Sequence, residues 1–188
     1  SAIICVFLSF LSHFATFFVF VFFLKIRPTP RSTLDRSSAA SDVYKRQGYY
    51  SIAMNAKLAA TSICRGEWSF AAGLLSAAAQ AVADNVPVIY VCYDSPLPSP
   101  VCEVMPVIEP TAIALVLTPN ASSNALATWD ISINPRTGVT VWQEWIPPAW
   151  DANACARGFA ALELLAHSLR NVATVPLSPE LDLKVIRC

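Results

Sequence analysis

Glu67 is the side chain of this sequence best placed to do chemistry. It closes a tight turn, Arg65-Gly66-Glu67, at the start of a helix that runs to Ala83. A helix start gathers unpaired N–H groups and the positive end of the backbone dipole, so it favours an anion or a reactive nucleophile. A carboxylate held there by the dipole alone accounts for Glu67 equally well. The six cysteines, Cys5, Cys64, Cys92, Cys102, Cys155 and Cys188, include no C-x-x-C pair and share the chain with only two histidines, a pattern that does not suit a zinc site. Cys64 and Cys92 fall within expected strands, where a free cysteine packs as a small hydrophobe, and the chain reads as reduced and intracellular. Glu163 and His167 are one helical turn apart and could form a dyad, but that spacing is more common as a surface contact. The sequence implies no metal and no cofactor.

The elements that must position these residues follow from pattern. Gly48–Ala60 has apolar residues at helical spacing, and Thr61–Cys64 is a short buried strand. The helix after Glu67 carries Ala71, Ala72, Leu74, Leu75, Ala77, Ala78, Ala79, Ala81 and Val82, with no charge before Asp84. Such a helix is expected to be buried on all sides, between two sheets. Asn85 stops it, and Val86–Tyr93 is a continuous apolar run suited to a central strand covered on both faces. Strand, helix and strand make a βαβ-like unit. Five prolines between Asp94 and Pro110 impose an extended loop, and Thr111–Leu117 is a further buried strand. Asn120-Ala-Ser122 fits a glycosylation acceptor pattern but reads as a turn. Leu126–Ile133 alternates, with Ala127, Trp129, Ile131 and Ile133 on one face. Turn chemistry at Asn134–Gly138 predicts a hairpin with Val139–Trp145, stabilised by Trp129, Trp142, Trp145 and Trp150. Asp151 is placed to cap a helix to about Arg170, with Phe159, Leu162, Leu165, Ala166 and Leu169 as its apolar stripe, and Leu181–Ile186 is a last strand.

Length suits one ordinary domain, and the zero formal charge gives no footprint for nucleic acid. The first 47 residues nevertheless differ from the rest. Ser1–Leu24 is a Phe/Val/Leu-rich run followed by Lys25, Arg27 and Arg31, which read literally is a transmembrane anchor, and Arg31–Gln47 is a polar linker. A different origin fits better. Asp42–Gln47 is what GAT GTG TAT AAG AGA CAG encodes, the end of a transposon-based sequencing adapter, so residues 1–47 read as translated adapter plus unrelated DNA. Without an initiating Met the chain reads as a fragment, with its domain over residues 48–188.

Two segments carry a family resemblance: YYSIAMNAKLAAT (Tyr49–Thr61) and SICRGEWSFAAGLLSAAAQAVADNVPVIYVCYDSPLP (Ser62–Pro98). Gly66-Glu67-Trp68-Ser69-Phe70-Ala71-Ala72-Gly73-Leu74-Leu75 and Val91-Cys92-Tyr93-Asp94 resemble the motifs of the β-ketoacyl synthase-like N-terminal domain family, strongly over 49–98 and loosely beyond. The resemblance implies an α/β, thiolase-like layered fold, in its N-terminal half, with a central helix buried between sheets. In the condensing enzymes of that superfamily a nucleophilic Cys opens the buried helix, where the helix start favours a thiolate. Glu67 stands at that position here, and a carboxylate cannot form the acyl thioester. Those enzymes also use two histidines from a C-terminal half, whereas this sequence ends before one and His167 matches no family motif.

Three readings follow. The resemblance favours a non-catalytic, chain-length-factor-like protein, cytoplasmic and bacterial, that assists an active ketosynthase and its acyl carrier protein in fatty acid, polyketide or aryl-polyene synthesis. An alternative is malonyl-carrier decarboxylation supported by Glu67. A membrane-anchored binding module is a third, conditional on residues 1–24. Amplification from unfragmented DNA across the codon for Gly48 tests the adapter reading: no product joining the two sides is expected, and a continuous product refutes it.

Overall fold

A computed structural model describes residues 2–6, 20–25, 60–96, 99, 101–103, 106–107, 109–120, 123, 125–136, 150, 153–166 and 170–188. Among the described residues eight strands form one sheet: β1 (Ala2–Val6), β2 (Phe20–Lys25), β3 (Ala60–Ile63), β4 (Val88–Asp94), β5 (Thr111–Thr118), β6 (Ala127–Pro135), β7 (Val172–Pro176) and β8 (Leu181–Arg187). Their order is β3-β2-β4-β5-β1-β6-β8-β7, and each neighbouring pair is antiparallel. The α-helices among the described residues are α1 (Ser69–Asp84) and α2 (Phe159–Ala166). The architecture is therefore mixed helix and sheet, in agreement with an α/β class.

The expected βαβ-like unit is present as β3–α1–β4, but β2 lies between its strands. Because β2 is antiparallel to both, β3 and β4 run parallel to each other. The second half repeats the device, with β6 and β7 both antiparallel to the β8 that separates them and α2 in the connection. β1 and β2 both come from the first 47 residues. Within the Phe/Val/Leu-rich run Ser1–Leu24, the described residues Ala2–Val6 and Phe20–Leu24 belong to these two strands. Among the described residues no helix is long and apolar enough to cross a membrane.

Side-chain periodicity explains the packing. Val88, Tyr90, Cys92 and Asp94 of β4 and Thr111, Ile113, Leu115 and Leu117 of β5 alternate inward, as a two-residue period requires. Ile89, Val91 and Tyr93 on the other face of β4 are only half-buried, so the strand is not covered equally on both sides. Against the inward residues α1 places Phe70, Ala71, Leu74, Ala77, Ala78 and Ala81, all in the core. Small side chains let the helix axis approach the sheet, and Phe70 alone contributes roughly 2–3 kcal/mol of burial. The expectation that α1 is buried all round is corrected: Ala79, Val82 and Ala83 are exposed, because the described residues cover the helix with one sheet only. Asn85 ends α1 as expected, in the left-handed conformation at φ 51°, with its N–H directed to the carbonyls of Ala81 and Val82.

The C-terminal elements depart further from the pattern. β6 pairs with β8 and β1, while the expected partner strand Val139–Trp145 and the helix at Gly48–Ala60, except Ala60, lie outside the described residues. Ala127 and Trp129 are buried and Ile131 half-buried, but Ile133 is exposed near the strand end. α2 begins at Phe159, later than an Asp151 cap implies; Asp151 and Leu169 are outside the described residues. Its core side is Ala161 and Leu164, whereas Ala166 is exposed. Periodicity missed β7, whose Pro176 suggests a break. In β7, the last strand of the sheet order, a proline is tolerated because its missing N–H leaves no ladder bond unmade.

Gly158 marks where the two halves close on each other. A Cβ built there would fall within the Phe70 ring. Gly158→Ala is expected to destabilise the fold by about 1–3 kcal/mol through overpacking, read as a lower urea midpoint at unchanged slope.

Candidate functional site

β3 delivers the chain to Cys64 and Arg65, and Gly66 then turns it through the left-handed region at φ 56°. The buried Ser69 hydroxyl locks this reversal, accepting from the Arg65 N–H at 2.9 Å and donating to the Gly66 carbonyl at 2.7 Å. Glu67 lies in the resulting 3-10 turn, Gly66–Trp68, immediately before α1. Its carboxylate makes no cap to the helix. Instead Glu67 Oε2 accepts from Arg157 Nη2 at 2.7 Å, with the Glu67 side chain 52% exposed and that of Arg157 only 12%. A half-exposed pair of this kind contributes up to about 1 kcal/mol.

Arg157 comes from a second 3-10 turn, Ala156–Gly158, just ahead of α2. Its guanidinium lies 5.2 Å from the Trp68 ring centre, and that of Arg136 lies 5.3 Å from the same ring. Arg136 is itself held from the far side, its Nη1 donating to the Ser178 carbonyl at 3.4 Å and its Nε 4.0 Å from Asp182 Oδ1. The start of α1 is thus bordered by a carboxylate, an indole and two guanidinium groups brought from residues about 70 to 90 positions away.

Beneath this surface lies a buried polar layer on the inward face of β4. The Tyr90 hydroxyl donates to the Phe70 carbonyl at 2.8 Å, and the two rings meet edge to face at 5.6 Å. Asp94 Oδ2 accepts from the Cys155 N–H at 2.7 Å, and the Cys155 thiol donates to the Cys92 carbonyl at 3.3 Å. Asn153 Nδ2 donates to the Glu109 carbonyl at 2.9 Å and to Thr111 Oγ1 at 3.3 Å. Burial pushes the Tyr90 hydroxyl and the Cys92 thiol well above their ordinary ranges, reinforced for Cys92 by the neighbouring Cys155. Cys92 is therefore a neutral thiol and no nucleophile at neutral pH. Burial also raises Asp94 to about 6, against the opposing pull of the Cys155 N–H, the Thr111 hydroxyl and the Arg157 charge.

These positions sort the expected site residues. Glu67 is at a helix start, as expected, but is engaged by a cation. Cys64 is exposed after β3, and Cys92 and Cys155 are buried. Glu163 is buried and paired with Arg170 at 3.0 Å, while His167 lies outside the described residues. Among the described residues no three His, Cys, Asp or Glu side chains converge as a metal site would require. Sequence reasoning missed the layer of Asp94, Thr111, Asn153 and Cys155 together with Arg157. One signal for it was present: Asp94 ends an apolar strand, where a carboxylate needs a donor.

The raised Asp94 has a consequence for stability. An acid whose folded value lies above its unfolded one stabilises the fold fully below the unfolded value, about 3.9, and loses that contribution as pH rises through about 6. Stability is expected to fall by up to roughly 3 kcal/mol between pH 4 and 7 from this group. Asp94→Asn, which keeps an oxygen for the Cys155 N–H, should flatten that part of a urea-denaturation series against pH.

A family model described as β-ketoacyl synthase, N-terminal domain, matches residues 44–157. Neither a curated protein nor a solved structure matches the chain. The match spans more than half of the sequence and includes Glu67, Trp68, Asp94, Arg136, Asn153, Cys155 and Arg157. On that match the chain belongs to the β-ketoacyl synthase N-terminal domain family.

Proposed function

We propose that this protein is a non-catalytic relative of the β-ketoacyl synthases that assists an active ketosynthase while a growing acyl chain is held on acyl carrier protein. The observation that carries this reading is the state of Glu67. Condensation needs a thiolate that attacks an acyl thioester, expels the carrier thiol and holds the acyl group as a new thioester. A carboxylate at that position would give a mixed anhydride, which water cleaves readily. Glu67 is further occupied by Arg157 at 2.7 Å, as befits a structural anchor for the helix start. In this reading the protein works as chain-length factors do in fatty acid, polyketide and aryl-polyene systems, in the cytoplasm of a bacterium beside those partners. In this reading α1 is the central helix of a thiolase-like arrangement, and its exposed Ala79, Val82 and Ala83 face the side on which further layers pack.

One observation favours a second reading, in which Glu67 supports decarboxylation of a malonyl group on its carrier. Its side chain is half exposed and so open to a substrate. The pairing with Arg157 weighs against it, since a carboxylate already neutralised does less to drive out carbon dioxide. Two measurements separate the readings. Co-expression should recover the protein with a ketosynthase, and deletion should change product chain length; failure of both removes the helper reading. Glu67→Ala should leave malonyl-carrier decarboxylation unchanged at background, and a loss of at least tenfold from a measurable rate would establish the second reading instead.

A further inference from the structure

We propose that Asp94 is the positioning residue for the Glu67–Arg157 pair, acting through the backbone N–H of Cys155 and the turn that follows it. The inference stands on the geometry of the pair and is independent of whether the chain assists a ketosynthase. Asp94 ends β4 and is 2% exposed, and its Oδ2 holds the Cys155 N–H at 2.7 Å. Cys155 flanks the turn Ala156–Gly158, so this bond sets where the turn leaves the sheet. Two residues on, Arg157 reaches Glu67 and covers Trp68. One further on, Gly158 abuts the Phe70 ring with no room for a side chain. The turn is therefore held from both ends, by a carboxylate beneath and by α1 above.

A second observation bears on how that hold varies. Asp94 Oδ1 and Asn153 Oδ1 are both buried and have no hydrogen-bond partner among the described residues. Asn153 is two residues before Cys155, and its amide is oriented by donating to the Glu109 carbonyl and to Thr111 Oγ1. A neutral Asp94 brings one donor into a layer with an unserved acceptor. An ionised Asp94 leaves its own oxygen bare, and its charge attracts Arg157, which Glu67 also binds. The titratable or charged groups facing Asp94 are Tyr90 and Cys92 of its own strand and Cys155 and Arg157 of the turn; from β5 it meets the Thr111 hydroxyl. Of these, Arg157 is the group that reaches outward to the Glu67 site.

Trp68 supplies the readout, because the emission of an indole responds to a cation over its ring. The full chain is titrated from pH 4.5 to 8, and the emission of a Trp68→Phe variant is subtracted to isolate Trp68. A step with a midpoint near 6 is expected. Asp94→Asn retains an acceptor for the Cys155 N–H and should abolish the step while far-UV circular dichroism stays unchanged, which separates Asp94 from the histidines. A flat parent profile, or a step that survives in Asp94→Asn, overturns the proposal. If Asp94→Asn does not fold, Thr111→Val serves instead. Its lost hydroxyl stabilises the ionised carboxylate, so the midpoint should move to higher pH, and an unmoved midpoint overturns the proposal.

Discussion

The bond from the Cys155 N–H to Asp94 Oδ2 ties the turn ahead of α2 to the end of β4. β4 is a rigid sheet strand, and Cys155 opens the segment that leads into α2. A backbone donor met by a carboxylate inside the fold is stronger than an ordinary neutral pair, and its loss would strand two buried polar groups. The neighbouring bonds share that dependence. Asn153 can reach Glu109 and Thr111, and Cys155 can reach the Cys92 carbonyl, only while the turn stays against β4.

That constraint explains the chemistry left at the start of α1. The turn brings Arg157 over Trp68 and against Glu67, and Gly158 lets it sit on Phe70. Neither nearby thiol stands at the start of α1: Cys64 follows β3 ahead of the Gly66 turn, and Cys92 is buried in β4 with its proton held. The surface around Glu67 is thus an ion pair with Arg157 beside the Trp68 indole.

The central segment was legible because its signals are local. An apolar run bounded by Asn85 and the proline-rich loop specifies β4, and Gly66 and Asn85 occupy backbone conformations that those residues adopt at low cost. The region after Ile133 was less so. The hairpin strand suggested by Asn-Pro-Arg-Thr-Gly lies outside the described residues, and the partner that β6 does show there, β8, is about 50 residues away in sequence. That long ladder buries Trp129 and Leu183, a contact between distant segments that no local turn signal encodes. For α2, Asp151 looked like a cap, but Asn153 and Cys155 are drawn into the polar layer and the helix starts only after them.

Residue type and spacing along one segment were enough to read the family, the apolar helix and the carboxylate just ahead of it. The partner of that carboxylate appears only once the chain is folded. Glu67 and Arg157 are 90 positions apart, and no periodicity links them. Their meeting depends on a hydrogen bond inside the fold and on a glycine that lets one turn lie on an aromatic ring. Such contacts follow from packing distant segments together, which is the part of the free energy that local pattern does not carry.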